Sequence, residues 1–283
     1  MEEARWRAII GRKRPSYSQK ARSGIGKRLP PAYPPRMEFH VLPMRTGAAA
    51  ENMAVDFLLL RRSPAPTAIR FRHYEWRNPA FTFGFGQKVA WVREQLPPDE
   101  QFDICRRPTG GGIVDHRQDW TYTLVIPREH ELWEERVAAT YRIVHDCLAQ
   151  VLRELGQPAI VKKPIESAEA TGPGGLGQML TASLEPGVCF QRAELYDVIH
   201  ERTGEKIAGA AQKRNKQGLL FQGSIWKPAV VLRDWENFGA RFAIALAGAA
   251  GVPARAAPWP DLNEDELTGL TEQYSAPEWI DYR

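Results

Sequence analysis

The chain has 283 residues, 43% hydrophobic and 25% charged, with a formal net charge of +4. That composition is ordinary for a globular protein and long enough to bury a sizeable core. No stretch approaches the length of continuous apolar sequence that a membrane span needs, and no apolar secretory segment opens the chain, so neither is expected.

Charge is unevenly placed. Residues 1–36 carry ten Lys/Arg against Glu2 and Glu3, whereas the remainder is net acidic. This arm reads as disordered and free of an obligatory partner; contact with nucleic acid is the alternative its charge raises, and is not expected. Met37 is an alternative start, because MEFHVLP opens the first convincing strand.

In chain order, Met37–Pro43 reads as a strand and Ala48–Leu60 as an amphipathic helix. Ser63-Pro64-Ala65-Pro66 breaks the chain before a strand-like run at Ala68–Tyr74. Phe81–Phe85 is a short aromatic strand, Val89–Gln95 a helix, and Asp103–Arg107 leads into Gly110-Gly111-Gly112. Trp120–Ile126 is a strong strand. A long helix spans Glu131–Leu155, with Val137, Tyr141, Val144, Leu148 and Leu152 at helical spacing. Residues 164–188 have little period and hold glycines at 172, 174, 175 and 177, the character of a lid or binding loop. Short strands follow at Leu195–His200, Lys206–Ala211 and Leu219–Ile225, then a helix near Trp235–Ala250. The expected fold is mixed α+β: a largely antiparallel sheet flanked by helices, with a catalytic domain over 37–250 and a tail over 251–283 packed on it. Strands and helices do not alternate as a doubly wound sheet requires.

Three passages hold residues suited to chemistry. Arg106-Arg107-Pro108-Thr109-Gly110-Gly111-Gly112, followed by His116, combines exposed backbone amides with two guanidiniums able to hold a phosphate or carboxylate. It matches neither GxxxxGK[ST] nor GxGxxG, and a surface turn beside an arginine pair is the plainer reading. Lys206 opens a strand of small residues, so its ammonium can reach a ligand lying on the backbone; a solvent-facing hairpin lysine fits equally. Lys213, Arg214 and Lys216 beside it suit an acidic carrier protein or a solvated turn. Cys189 ends the glycine-bearing loop, where it is either a hydrophobic anchor or a thiolate nucleophile, with His116 a candidate neighbour. Cys147 reads as core. Three scattered cysteines without CxxC, and six histidines without HExxH, argue against disulfides and a structural metal and suit a reducing, cytoplasmic setting.

Together RRPTGGGIVDH (106–116), NMAVDFLL (52–59), CF (189–190), YDV (196–198) and GEKIAGAAQKRNKQGLLFQGSI (204–225) resemble the lipoate–protein ligase and octanoyltransferase superfamily over roughly residues 38–228. The resemblance implies an acyl-group tunnel flanked by the Arg-Arg…Gly-Gly-Gly turn and the GxKIxG lysine. Substrate-binding positions are then Arg106, Arg107, Gly110, Gly111, Gly112, His116, Gly209 and Gln212. Within the superfamily, Cys189-Phe190 and the AAQKR…LLFQGSI segment resemble the cysteine-using monomeric octanoyltransferases. That branch implies transfer without ATP or metal from octanoyl-acyl carrier protein to a lysine of a lipoyl domain or glycine-cleavage H protein, through Cys189 and Lys206, by a monomer. An ATP- and Mg²⁺-dependent lipoate ligase is the alternative, although HRQDW at 116–120 departs from the ligases' HDxGN. A non-catalytic lipoyl-domain or nucleic-acid-binding module is the third reading. Phe83, Phe85 and Val114 are candidate walls for the acyl chain.

Overall fold

Period-two and period-3.6 patterning build the scaffold. The computed structural model describes residues 37–61, 68–164 and 193–282, so the basic arm and the glycine-bearing loop with Cys189 lie outside the described residues. The strands are β1 (Glu38–Val41), β2 (Arg45–Gly47), β3 (Ala68–Trp76), β4 (Ala80–Phe83), β5 (Asp103–Arg106), β6 (Ile113–Asp115), β7 (Asp119–Pro127), β8 (Ala159–Val161), β9 (Val198–His200), β10 (Lys206–Asn215), β11 (Gly218–Trp226) and β12 (Ala254–Ala256). The helices are α1 (Ala49–Arg61), α2 (Val89–Glu94), α3 (Glu131–Glu134), α4 (Val137–Glu154), α5 (Trp235–Ala249), α6 (Glu264–Ser275) and α7 (Pro277–Ile280).

Among the described residues nine strands form one mixed sheet, ordered β12-β1-β3-β7-β11-β10-β9-β8 with β2 also on β3. From β3 to β8 every pairing is antiparallel, while β1, β2 and β12 add in parallel. A second sheet, β5-β4-β6, carries the arginine–glycine turn.

Strand β7 shows how sequence sets the layers. Trp120, Tyr122, Leu124 and Ile126 point to one side, where they join Phe71, Phe221, Val144, Leu148, Phe238 and Phe242 in the main core beneath α4 and α5. Each such side chain contributes roughly 1.5–3 kcal/mol by leaving water. The alternate residues, Thr121 and Thr123, are polar yet also buried, because α1 covers the opposite face with hydrogen-bonding groups of its own. Thr123 donates to Asp56 of α1 (2.8 Å), and Asp56 in turn accepts from Arg72 Nε (2.7 Å) and Gln222 Nε2 (2.6 Å).

One sequence expectation needs correction. The single helix over 131–155 is two helices, since Glu135 and Arg136 are extended (ψ 148° each). Arg214 bridges the break, donating to Trp133 O and Thr140 Oγ1. The segment after 250 carries regular elements of its own. β12 extends the sheet edge beside β1, and α6 buries Tyr274 against Met53, Ala54 and Tyr74. Asn263 caps α6 by accepting from Glu266 N (2.9 Å), a start signal present in N263-x-x-E266.

Candidate active site

The polar face of β3, β7, β10 and β11 meets the second sheet along a cleft enclosing about 480 Å³, part of it open to solvent. Val114, Trp76, Tyr74, Met53 and Ala211 give it apolar walls; Thr82, Arg107, His116, Gln222 and Ser224 bring polar groups to it.

Lys206 is placed by β10. A bulge between Lys206 and Ala208 turns the side chain along the strand. Its ammonium lies over Gly209, within 2.6 Å of where a Cβ would stand, and pairs with Asp197 at 2.7 Å. Both side chains are buried, at 4% and 8% exposure. Glycine at 209 is therefore a space requirement: any side chain would push the ammonium from the sheet. Asp197 is itself fixed by the Glu194 backbone N–H (2.7 Å), in a turn where Tyr196 adopts φ 69°. Lys206 is thus buried beside Gly209, which lines the cleft, and the solvent-facing alternative is set aside.

The arginine–glycine turn is held from inside. Arg107 donates to Gly110 O (2.6 Å), Gly112 O (2.8 Å) and Thr82 Oγ1 (3.3 Å), and lines the cleft. Gly111 takes φ 89°, a left-handed conformation that suits glycine. Gly84 must also be glycine, because a Cβ there would fall 2.1 Å from Gly111 O. Arg106, expected to hold an anionic group, has a different placement. It is fully buried and donates to Phe85 O (2.7 Å), Gln87 O (2.8 Å), Trp279 O (3.0 Å) and Ile280 O (2.7 Å), tying α7 to the loop after β4. The side chain at 106 points away from the glycine turn because successive strand residues face opposite ways.

His116 lies at the cleft wall, stacked on Trp76 with ring centroids 4.0 Å apart. Its Nδ1 donates to Asp119 (2.7 Å), and Nε2 meets Thr82 Oγ1 (2.8 Å). Burial acts to raise the Asp119 carboxyl, but the pull of His116 and the hydroxyls of Ser224 and Thr121 outweigh it and hold it below the usual carboxylate range. Gln212 is placed elsewhere: its Nε2 donates to Val137 O (3.0 Å), at the outer part of β10. Val114 is a cleft wall as expected. Phe83 instead packs with Val92 and Ile113, and Phe85 against Trp279 and Tyr282.

Sequence reasoning missed Asp56, Thr82, Asp119, Asp197, Gln222 and Ser224. For Asp119, Thr121, Gln222 and Ser224 a signal existed: polar residues recur at every second position of two strands otherwise built of large apolar groups. Of the cysteines, Cys105 and Cys147 are buried, and desolvation pushes both thiols up to about 12.

A mixed sheet with a glycine-turn cleft and a buried strand lysine defines a class, and comparison with known proteins names it. The chain belongs to the family described as lipoyl protein ligase A/B catalytic domain, whose model matches residues 48–227. Among curated relatives, octanoyltransferase LipM of Bacillus cereus is 32% identical over 180 residues, covering 62% of this chain and 60% of that protein. LipM of Bacillus subtilis is 31% identical over 180 residues, with the same coverage. The chain thus spans about 60% of the length of these relatives. Among solved structures, protein Ta0514 of T. acidophilum superposes with a TM-score of 0.65 at 18% identity, covering 87% of this chain and 100% of that one. Lipoate-protein ligase A bound with ATP gives 0.61 at 16% identity, covering 87% and 99%. These likenesses establish the fold. Among the described residues no helix is long and apolar enough to cross a membrane.

Proposed function

We propose that this protein is an acyltransferase of the cysteine-using octanoyltransferase branch. It moves an octanoyl or lipoyl group from acyl carrier protein to a lysine of a lipoyl domain or glycine-cleavage H protein. The observation that carries the reading is the Lys206 ammonium, buried and held by Asp197 over Gly209, a residue of the cleft wall. Support also comes from the relatives named octanoyltransferase, and from the burial of Cys105 and Cys147, which suits neither thiol to attack a substrate.

In this mechanism the Cys189 thiolate attacks the carbonyl carbon of the acyl thioester. Lys206 stabilises the developing oxyanion; preorganised donors of this kind are worth roughly 2.7–4 kcal/mol. The adduct collapses with loss of the carrier thiol, leaving acyl-Cys189. The acceptor lysine amine then attacks, forming the amide and releasing the enzyme thiol. The reaction needs neither ATP nor a metal, and the apolar cleft walls carry the acyl chain. Arg107 shapes the turn beside that chain through the carbonyls it holds.

The test is modification of a purified lipoyl domain. Octanoyl transfer from octanoyl-carrier protein without ATP supports the reading. Modification only from free lipoate with ATP and Mg²⁺ would assign the cleft to a ligase that works through an acyl-adenylate.

A further inference from the structure

The proposed mechanism leaves one array at the cleft unused. Thr82 of β4, His116 after β6 and Asp119 of β7 form a hydrogen-bonded series that joins the two sheets: Thr82 Oγ1 to His116 Nε2 at 2.8 Å, and His116 Nδ1 to Asp119 Oδ2 at 2.7 Å. The order is hydroxyl, imidazole, carboxylate. A carboxylate on Nδ1 fixes the tautomer and leaves the Nε2 lone pair aimed at the hydroxyl. Arg107 Nη1 donates to Thr82 Oγ1 (3.3 Å), so the threonine's own proton is available to Nε2.

The carboxylate end of the series is closed off from solvent. Asp119 is fully enclosed; its Oδ2 also accepts from Ser224 (2.5 Å) and Thr121 (2.7 Å), while Oδ1 has no hydrogen-bond partner among the described residues. A buried carboxylate so incompletely satisfied is costly, and an adjacent imidazolium offsets that cost. The array also adjoins the lysine. Ser224 lies directly across from Gly209 in the β10–β11 register, and Gly209 is the residue over which Lys206 is folded. Thr82 and Gly209 both line the cleft, so the hydroxyl end of the series opens on the same space as the glycine over which Lys206 is folded.

We propose that the Thr82–His116–Asp119 series accepts the proton of the attacking lysine amine in the second half of the transfer. This rests on the acyl-transfer reading of the same cleft. As the amine nitrogen bonds to the acyl carbonyl carbon, its N–H breaks and the proton passes to Thr82 Oγ1. The Thr82 proton moves at the same time to His116 Nε2, giving an imidazolium against Asp119. The C–S bond then breaks, the enzyme thiolate departs, and His116 gives up the proton to solvent. Amide and thiolate are the products, and the ring ends neutral. Ser224 and Thr121 orient Asp119, and Trp76 keeps the ring in plane.

The test separates the half-reactions. Acyl-enzyme formation from octanoyl-carrier protein is followed by mass, and its decay on adding a lipoyl domain is timed, for wild type, His116→Gln, Asp119→Asn, Thr82→Val and Thr82→Ser. The readout is the ratio of transfer rate to acylation rate. General-base contributions of about 10²–10⁴-fold set the scale. His116→Gln is expected to lower the ratio about 100-fold or more, Asp119→Asn and Thr82→Val at least tenfold, and Thr82→Ser is expected to restore it. An unchanged ratio in folded His116→Gln, or equal performance of Thr82→Val and Thr82→Ser, overturns the proposal. If His116→Gln does not fold, the threonine pair decides alone. Absence of any wild-type acyl-enzyme would instead sink the acyl-transfer reading, and the relay with it.

Discussion

Replacing Gly209 by alanine isolates the placement of Lys206. A Cβ at 209 falls 2.6 Å from both Cε and Nζ of Lys206 and 3.0 Å from Asp197 Oδ1. Ordinary non-bonded contact needs roughly 3.5–4.0 Å, so the ammonium must withdraw by about 1 Å. The 2.7 Å bond to Asp197 then stretches past the range of a good hydrogen bond. Loss of one charge-assisted bond costs about 1.5–3 kcal/mol of stability. A group misplaced by about 1 Å costs on the order of 10²-fold in rate. The assay is the rate of octanoyl transfer to a lipoyl domain, beside urea unfolding of the same samples. Gly248→Ala is the control, because nothing lies within 4 Å of a Cβ there and alanine favours a helix. Gly209→Ala with wild-type rate and stability would refute the claim that Lys206 is held over this glycine.

Other outcomes follow from the same contacts. Arg106→Met strands the part-buried carbonyls of Phe85, Gln87, Trp279 and Ile280, and urea unfolding should show a loss of about 3–5 kcal/mol; under 1 kcal/mol would contradict the clamp. Iodoacetamide at pH 8 should leave Cys105 and Cys147 unmodified in the native protein, since both thiols are pushed up to about 12; peptide mapping that finds either alkylated before unfolding would disprove their burial. His145 is wholly buried, donates from Nδ1 to Tyr196 O (2.6 Å), and is held below its ordinary value by desolvation. The unfolded chain binds the extra proton first, so stability is full above about pH 6.5 and declines as pH falls from there towards the lowered folded value, by up to about 1.4 kcal/mol per unit. The difference in Tm between pH 7.5 and 5.5 should shrink in His145→Gln, although His73 and His130, also lowered by burial, keep part of it. A rise in wild-type Tm on acidification would reverse the sign.

Much of the scaffold could be read from alternation. Trp120–Ile126 carries its aromatic and aliphatic groups at every second position, and the structure places a strand there from Asp119 to Pro127. The α6 helix was less legible, because its apolar residues are few and its cap lies in a run that reads as acidic loop. The site divides along similar lines. Lys206 and the glycine turn stand out locally, whereas the partners that fix them come from distant strands. Asp197 becomes visible as a site residue only when the pairing of β9 with β10 brings it beside Lys206, whereas Asp119 stands three residues from His116 and shares the alternation of β7. Arg106 shows the converse: a strong local motif placed one guanidinium in the cleft and turned its neighbour to α7, a choice made by side-chain alternation along β5.

The measurement that bears most directly on the function is intact mass after mixing the protein with octanoyl-carrier protein without ATP, alongside Cys189→Ala. Wild type is expected to carry one hydroxylamine-labile octanoyl adduct and the variant none, and the adduct should be lost when a lipoyl domain is added. An adduct that persists in Cys189→Ala, or ATP-independent transfer by that variant at the wild-type rate, would contradict the Cys189 mechanism.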